Sequence, residues 1–396
     1  MSNMWPSQFV FACCQCGAEA ALKQEMATGT LQLRPAFSRP GFVTFKFDEP
    51  PLQPEQIQLQ STFARIWGFG LGKVQGQLLK ELADSVWQAP GVESFLSTQP
   101  IEDLHVWQRD KAIPGVKGFL PGPTSLALET EQALRNCSPL KEIRDRMPAV
   151  PRPPSRRNRW MLDVVLVEPG EWWLGCHRTS RRHECWPGGV MPLQLPEHAV
   201  SRAYLKMQES LEWSALPFVR GDTVVELGCA PGGASQALLE HGLQVLGVDP
   251  AEVAAEVLAL PHFTHLRRRS LDVPRKQLRG AQWLTVDINA VPGYTLDAAE
   301  QVVSNKLTNI RGMLLTLKLT DWKLLEELPH CVERIRSWGY RDIRTRQLAS
   351  NRQEICLVAL RSRAQRRVRR GAKPRGRKDA PHASGTGRPH FPAPKQ

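Results

Sequence analysis

An α/β fold built around a mostly parallel sheet is predicted for the C-terminal half of this 396-residue chain, from three observations. Residues 223–249, TVVELGCAPGGASQALLEHGLQVLGVD, run from an apolar stretch through a glycine-rich turn and a helical stretch to a second apolar stretch closed by an acid. That is the plan of a nucleotide-binding βαβ unit, in which glycines let a ligand approach the backbone and the second acid meets a ribose diol. Strand-like and helical runs then alternate as far as residue 360. Charged residues recur where strand-like runs end, at Asp249, Asp287 and Lys318. The carboxyl ends of strands form the ligand crevice of an open α/β sheet, so a series of charges there outweighs any one of them.

Taken in order, residues 8–14 and 41–47 read as strands around a helix at 18–26, an α+β unit over 1–70. Over 71–182 a helix is expected at 77–87, a strand at 103–107 and a helix at 125–135. The segment 148–159, PAVPRPPSRRNR, is too rich in proline to be a packed element. After it, 160–167 alternates and is β-rich, and with 172–177 it flanks a Glu-Pro-Gly-Glu turn and reads as a hairpin. Arg152, Arg156, Arg157 and Arg159 precede Trp172 and Trp173, and Arg178, Arg181 and Arg182 follow them. Basic residues interleaved with aromatics are what RNA-binding surfaces use for phosphate contact and base stacking. The competing reading is a solvated arginine loop with both tryptophans in the core. A proline-rich linker is expected over 183–199, then a helix capped by Ser201 and carrying Lys206.

Beyond 249, helices are expected at 251–258, 297–309 and 322–338, and strands at 263–266, 283–286 and 313–317. Asp272 stands in the loop after the first of these strands. Strands at 341–347 and 355–360 close the domain as a hairpin, so the α/β domain spans 200–360.

The net charge of +13 is unevenly placed. Residues 361–396 hold 12 Lys/Arg and one acid, and their composition is that of a disordered basic tail. Residues 141–182 hold 10 Lys/Arg against five acids. A tail plus a patch suits a polyanionic partner. Nine scattered cysteines without a signal peptide are expected to be reduced thiols in a cytoplasmic protein. Neither Cys13-Cys14-x-Cys16 nor the crowded Cys176, His177, His183 and Cys185 has the spacing of a metal site. No stretch approaches the twenty apolar residues of a membrane span.

Three nucleotide ligands compete for the glycine turn. A phosphate-binding P-loop needs GxxxxGK[ST], and no lysine follows Gly233. A dinucleotide site needs GxGxxG, and Gly228-Cys229-Ala230-Pro231-Gly232-Gly233 has other spacing. S-adenosylmethionine has no phosphate and a cationic sulfonium, so it suits an acid-ringed crevice with an open glycine turn best.

The run from Glu226 to Gly233 resembles the DLGAAPGG signature of the FtsJ-type ribose 2′-O-methyltransferases. SRAYLK at 201–206 resembles the family's SRSxxKL box, Leu317-Lys318-Leu319 its lysine-bearing strand, and Arg352-Gln353-Glu354-Ile355 its late glutamate box. The resemblance implies a catalytic tetrad of Lys206, Asp287, Lys318 and Glu354. It also implies a cofactor site of Glu226, Gly228, Cys229, Pro231, Gly232, Gly233, Asp249, Asp272 and Asp287. The N-terminal half is similar to that of the large-subunit ribosomal RNA methyltransferase M group, which implies a ferredoxin-like domain over 1–70 and a THUMP-like RNA-binding domain over 71–182. Ribosomal RNA is then the implied partner and a monomer the implied state. Two departures stand inside the signature: Glu226 where the family has aspartate, and Ala234 where it has an aromatic residue.

The chemistry can be argued from the residues as well. A ribose hydroxyl is a poor nucleophile at neutral pH, so its methylation needs a base and close alignment. A lysine serves as base only when desolvation or a neighbouring cation lowers its pKa. Lys318 is the expected base, Lys206 the cation that lowers its pKa, and Asp287 and Glu354 the groups that orient both; no metal is required. Two alternatives are an RNA base-amine methyltransferase and a non-catalytic RNA-binding protein on a decayed fold. The first carries [DN]PP[YF] where this chain has Asp287-Ile288-Asn289-Ala290, and the intact tetrad opposes the second.

Overall fold

The computed structural model describes residues 7–31, 33–49, 56–146 and 153–362. Arg152 and nearly all of the expected basic tail lie outside them.

The N-terminal half contains β1 (Phe9–Cys13), α1 (Glu19–Thr28), β2 (Arg34–Arg39), β3 (Phe42–Lys46), β4 (Ile66–Gln75), α2 (Leu79–Trp87) and α3 (Pro90–Thr98). It continues through β5 (Ile101–Gln108), α4 (Ser125–Asn136), α5 (Lys141–Arg144), β6 (Trp160–Glu168) and β7 (Glu171–Arg178). All seven strands join one sheet in the order β2-β3-β1-β4-β7-β6-β5. The boundary expected between residues 70 and 71 therefore falls inside β4. That strand pairs β1 through Ile66–Phe69 and β7 through Phe69–Gln75, with an irregularity at Gly70/Gly72 where Gly72 takes φ of 124°. One bent strand thus serves both units, and the sheet runs on without a break.

The β6–β7 hairpin forms as expected, but β6 does not alternate. It is buried along nearly its whole length, because helices cover one face and Phe11, Phe42 and Trp107 pack on the other with Val165 and Val167. Trp172 is in the core, and Trp173 stacks on Phe37 with centroids 4.8 Å apart. Trp172 is thus closed off by packing, whereas Trp173 stays partly exposed.

The first part of the expected linker is also packed. His183, Glu184 and Cys185 are buried. Gly188 accepts a 2.9 Å hydrogen bond from Nε of Arg65, which forms a buried 2.7 Å pair with Asp110.

The C-terminal half comprises α6 (Ala203–Ser214), β8 (Thr223–Leu227), α7 (Gly233–Glu240), β9 (Gln244–Val248), α8 (Ala255–Leu258), β10 (Phe263–Leu266) and β11 (Trp283–Val286). It ends with α9 (Pro292–Val303), β12 (Gly312–Lys318), α10 (Leu328–Ser337), β13 (Asp342–Arg346) and β14 (Glu354–Leu360). Its seven strands lie in the order β10-β9-β8-β11-β12-β14-β13, and only β14 runs against its neighbours. The mostly parallel α/β sheet is as expected. Two helices differ. α9 begins five residues early because Pro292 is suited to a first helical turn. The helix expected over 322–338 breaks into a 3₁₀ segment and α10, where Pro329 can donate no hydrogen bond to the preceding turn.

The halves are fastened along β13. Gln347 N–H donates to Thr62 O at 2.7 Å, Nη2 of Arg346 to Arg65 O at 2.7 Å, and the Thr62 and Thr345 hydroxyls lie 2.7 Å apart.

Candidate active site

In-register pairing of β8 with β11 places Leu227 beside Val286, so Gly228 and Asp287 emerge together at the carboxyl end of the sheet. Gly228 has φ of 84°, and a Cβ there would lie 2.4 Å from Asp287 O. A Cβ on Gly233 would lie 2.3 Å from Ser201 Oγ, and one on Gly232 would meet Val257 at 2.8 Å. The three glycines are thus required first by backbone approach within the protein. Cys229 is buried, its Sγ directed at Gly247. Pro231 follows a cis peptide. Asp249 braces the turn, accepting from Ala230 N–H at 3.1 Å and Ala251 N–H at 2.8 Å. Glu226 is buried inside the fold and accepts a 2.5 Å hydrogen bond from Ser235; burial pushes its carboxyl up to about 8. Asp272 is exposed in the 3₁₀ turn after β10, away from the tetrad's hydrogen bonds.

The four tetrad residues come from four elements and meet. Lys318 closes β12 and Glu354 opens β14, and the antiparallel register sets them opposite one another. Nζ of Lys318 is 3.0 Å from Oε1 of Glu354 and 3.0 Å from Oδ1 of Asp287. Nζ of Lys206, from α6, donates to Oε2 of Glu354 at 2.6 Å, and Asn351 donates to the same oxygen at 3.1 Å. The side chains are 8–23% exposed, sheltered yet reachable. Burial pushes the Glu354 carboxyl up, but Lys206 and Lys318 outweigh it and hold the group below its usual value. Burial likewise pulls Lys318 down, but Asp287 and Glu354 outweigh it and hold the ammonium above its usual value. This corrects the expected role of Lys206. It faces the far oxygen of Glu354, and in this state two carboxylates keep Lys318 protonated.

Ser201, expected as a cap, does not cap α6; its Oγ is buried without a partner beside Gly233. Its place before a helix and within the SRAYLK run was the signal, and a cap also explains the first. Ala234 lines a small cavity of about 20 Å³ with Lys206, Met207 and Asp287, in the region where the family's aromatic side chain is replaced. A larger cavity, about 170 Å³, lies between Trp107, Leu128 and Trp186, and none of the tetrad residues lines it.

The arginines form a separate surface. Asn158 and Arg159 bond Thr179 through the backbone, which gathers the exposed Arg156, Arg157, Arg159, Arg178 and Arg182 with the half-buried Arg181. Some are engaged: Nη2 of Arg157 donates to Ser180 O at 2.6 Å, and Arg182 pairs with Glu212. Cys176, His177, His183 and Cys185 do not converge as ligands. His177 is bound by Asp163 at 2.7 Å and by Glu184 O at 2.9 Å. His105, Asp163 and His177 do lie together, with His177 held on Asp163 and Nε2 of His105 2.9 Å from Ser155 Oγ.

A mostly parallel seven-stranded sheet with a glycine turn and a lysine–carboxylate cluster at its carboxyl end is the setting of a methyltransferase domain, and residues 199–324 match the FtsJ-like methyltransferase family. Among curated relatives, the chain is 30% identical over 196 residues to ribosomal RNA large subunit methyltransferase M of Halorhodospira halophila, covering 48% of this chain and 56% of that protein. It is 32% identical over 212 residues to the protein of the same name from Marinobacter nauticus, covering 50% and 57%. The chain spans just over half the length of these relatives.

Proposed function

We propose that the protein transfers a methyl group from S-adenosylmethionine to a ribose 2′-hydroxyl of RNA, with large-subunit ribosomal RNA as the substrate. The observation that carries this is the connected Lys206–Glu354–Lys318–Asp287 cluster beside the glycine turn. The residues suit the cofactor: a buried, unpartnered Ser201 hydroxyl beside Gly233, acids at successive strand ends, and no phosphate-binding lysine. Backbone groups from Gly228 to Gly233 and Ser201 would hold its methionine moiety, Asp249 its ribose and Asp272 its adenine, while Glu226 supports the turn through Ser235. When bound, S-adenosylmethionine supplies an electrophilic methyl group on a cationic sulfur.

This chain's residues do the rest. Asp287 and Glu354 fix Nζ of Lys318, and Lys206 neutralises the second oxygen of Glu354. The resting cluster has two cations and two anions, so a further positive charge at the crevice favours loss of the Lys318 proton. Neutral Lys318 then accepts the 2′-hydroxyl proton, and Lys206 stabilises the developing alkoxide.

The arginine surface and Arg152 would hold RNA, within ferredoxin-like (1–70) and THUMP-like (71–182) regions that share one sheet, the basic tail acting as a tether. The protein would act as a monomer in the cytoplasm; no helix among the described residues is long and apolar enough to cross a membrane. Mapping 2′-O-methyl groups on ribosomal RNA from cells with and without the protein tests the proposal. One ribose methyl should vanish and return with wild type but not with Lys318→Ala. Unchanged ribose methylation throughout ribosomal and transfer RNA would refute it.

A further inference from the structure

Two guanidinium groups meet beside the catalytic cluster with no carboxylate to balance them. A Cβ on Gly115 would lie 2.0 Å from Nη1 of Arg202 and 2.8 Å from Nη2 of Arg352, so the two cationic tips are within roughly 5 Å of one another. Among the described residues, neither guanidinium has a carboxylate oxygen within 4.0 Å. Nε of Arg352 donates to Pro114 O at 3.2 Å, and Nε of Arg202 is buried without an acceptor. Like charges this close repel, and an anion bound between them turns the repulsion into attraction. Planar guanidinium forks recognise phosphate and carboxylate oxygens in pairs.

Their position says which anion. Arg202 lies one helical turn before Lys206, linked by the Lys206 N–H to Arg202 O hydrogen bond of 3.4 Å, and Arg352 lies two residues before Glu354. The i, i+4 spacing puts Arg202 on the side of α6 that carries Lys206, and Arg352 stands in the bend that leads into β14 at Glu354. The wall opposite comes from the N-terminal half: Pro114 and Gly115 belong to the connection between β5 and α4, which also presents exposed Lys117 and Val116. In RNA the backbone phosphates are the oxyanions that flank a 2′-hydroxyl.

We propose that Arg202 and Arg352 form an oxyanion site that holds a backbone phosphate next to the ribose being methylated, with the connection through Pro114 and Gly115 as its far wall. The inference rests on the RNA methyl-transfer reading. It makes the N-terminal half part of the reaction site as well as a separate RNA-binding surface. The carboxylate of the cofactor is the other source of a matching oxyanion, and the test separates the two.

The full chain, Arg202→Gln, Arg352→Gln and Arg352→Lys are compared for binding of a short single-stranded RNA between 50 and 200 mM salt, and for binding of S-adenosylhomocysteine by calorimetry. Each Gln variant should weaken RNA binding about tenfold at low salt and reduce the slope of log affinity against log salt by about 0.7, the loss of one phosphate contact. Affinity for S-adenosylhomocysteine should be unchanged, which also reports that the variants are folded, and Arg352→Lys should keep the slope. An unchanged slope in both Gln variants overturns the proposal, as does a loss confined to S-adenosylhomocysteine binding or a wild type that does not bind the RNA. A wild type that binds RNA with the expected slope yet methylates no ribose leaves the phosphate site standing and removes the methyl-transfer reading alone.

Discussion

Lys318 sits between two carboxylates, and its charge state decides how the proposed reaction can run. Its ammonium is held above the usual lysine value, so the free protein keeps it protonated through neutral pH. kcat/KM for the cofactor reports ionisations of the free enzyme, and should therefore rise with pH and show no plateau below pH 10. A plateau near pH 7 would mean another group accepts the proton. Lys318→Ala should lower the transfer rate by about 10²–10⁴-fold. Lys318→Arg should be equally inactive, because an arginine keeps the charge but cannot take up a proton; substantial activity in that variant would reduce Lys318 to a fixed charge. Glu226 gives a second pH signature, of stability. Its folded value is pushed from 4.5 to about 8, so the unfolded chain releases this proton first and folding stability falls as pH rises between those values. Glu226→Gln should match wild type below pH 4.5 and be more stable than it at pH 8, measured by denaturant unfolding. At this scale the sequence was informative about which residues meet. Lys206, Asp287, Lys318 and Glu354 could be picked out by order and motif. The direction of the Lys318 shift could not, because it depends on two carboxylates 3.0 Å away that only the fold brings there.

Among the elements, the glycine turn and α6 are the pair on which the site depends. A methyl group at Gly233 would lie 2.3 Å from Ser201 Oγ and 2.8 Å from Ser201 O, so Gly233→Ala must push α6 away from α7. The expected cost is about 1–3 kcal/mol of stability, with loss of S-adenosylhomocysteine affinity; calorimetry and denaturant unfolding check both. A variant as stable and as tightly binding as wild type would show that the turn tolerates movement. Short apolar runs ending in a charge or a turn made most of the α/β strands readable, because strands buried on both faces leave such runs in sequence. Helix starts were read less well where prolines intervened: Pro292 and Pro329 reset the starts of α9 and α10. The short strand β2, with its outward-facing Arg34 and Arg39, had no apolar pattern to find.

At the scale of the molecule, one feature of the N-terminal half was hidden from sequence reading: β4 carries the sheet through the boundary expected at residue 70. Sequence windows detect local periodicity, whereas that continuity comes from pairing between strands about a hundred residues apart. The two halves then bury Arg346 against Arg65 O and set Phe63 near Trp322 with centroids 6.1 Å apart. A fragment of residues 200–362 should therefore be less soluble and less stable than the full chain, with a lower midpoint of thermal unfolding. An isolated half as stable as the whole would make that interface incidental. Ribose methylation by the cluster of Lys206, Asp287, Lys318 and Glu354 can be read from labelled RNA. Purified protein is incubated with large-subunit ribosomal RNA lacking its own methyl groups and with methyl-labelled S-adenosylmethionine, and the RNA is digested to nucleosides and read by mass spectrometry. Label is expected on the sugar of a single nucleotide with wild type and none with Lys318→Ala. Label on a base, or equal ribose labelling by the two proteins, would contradict it.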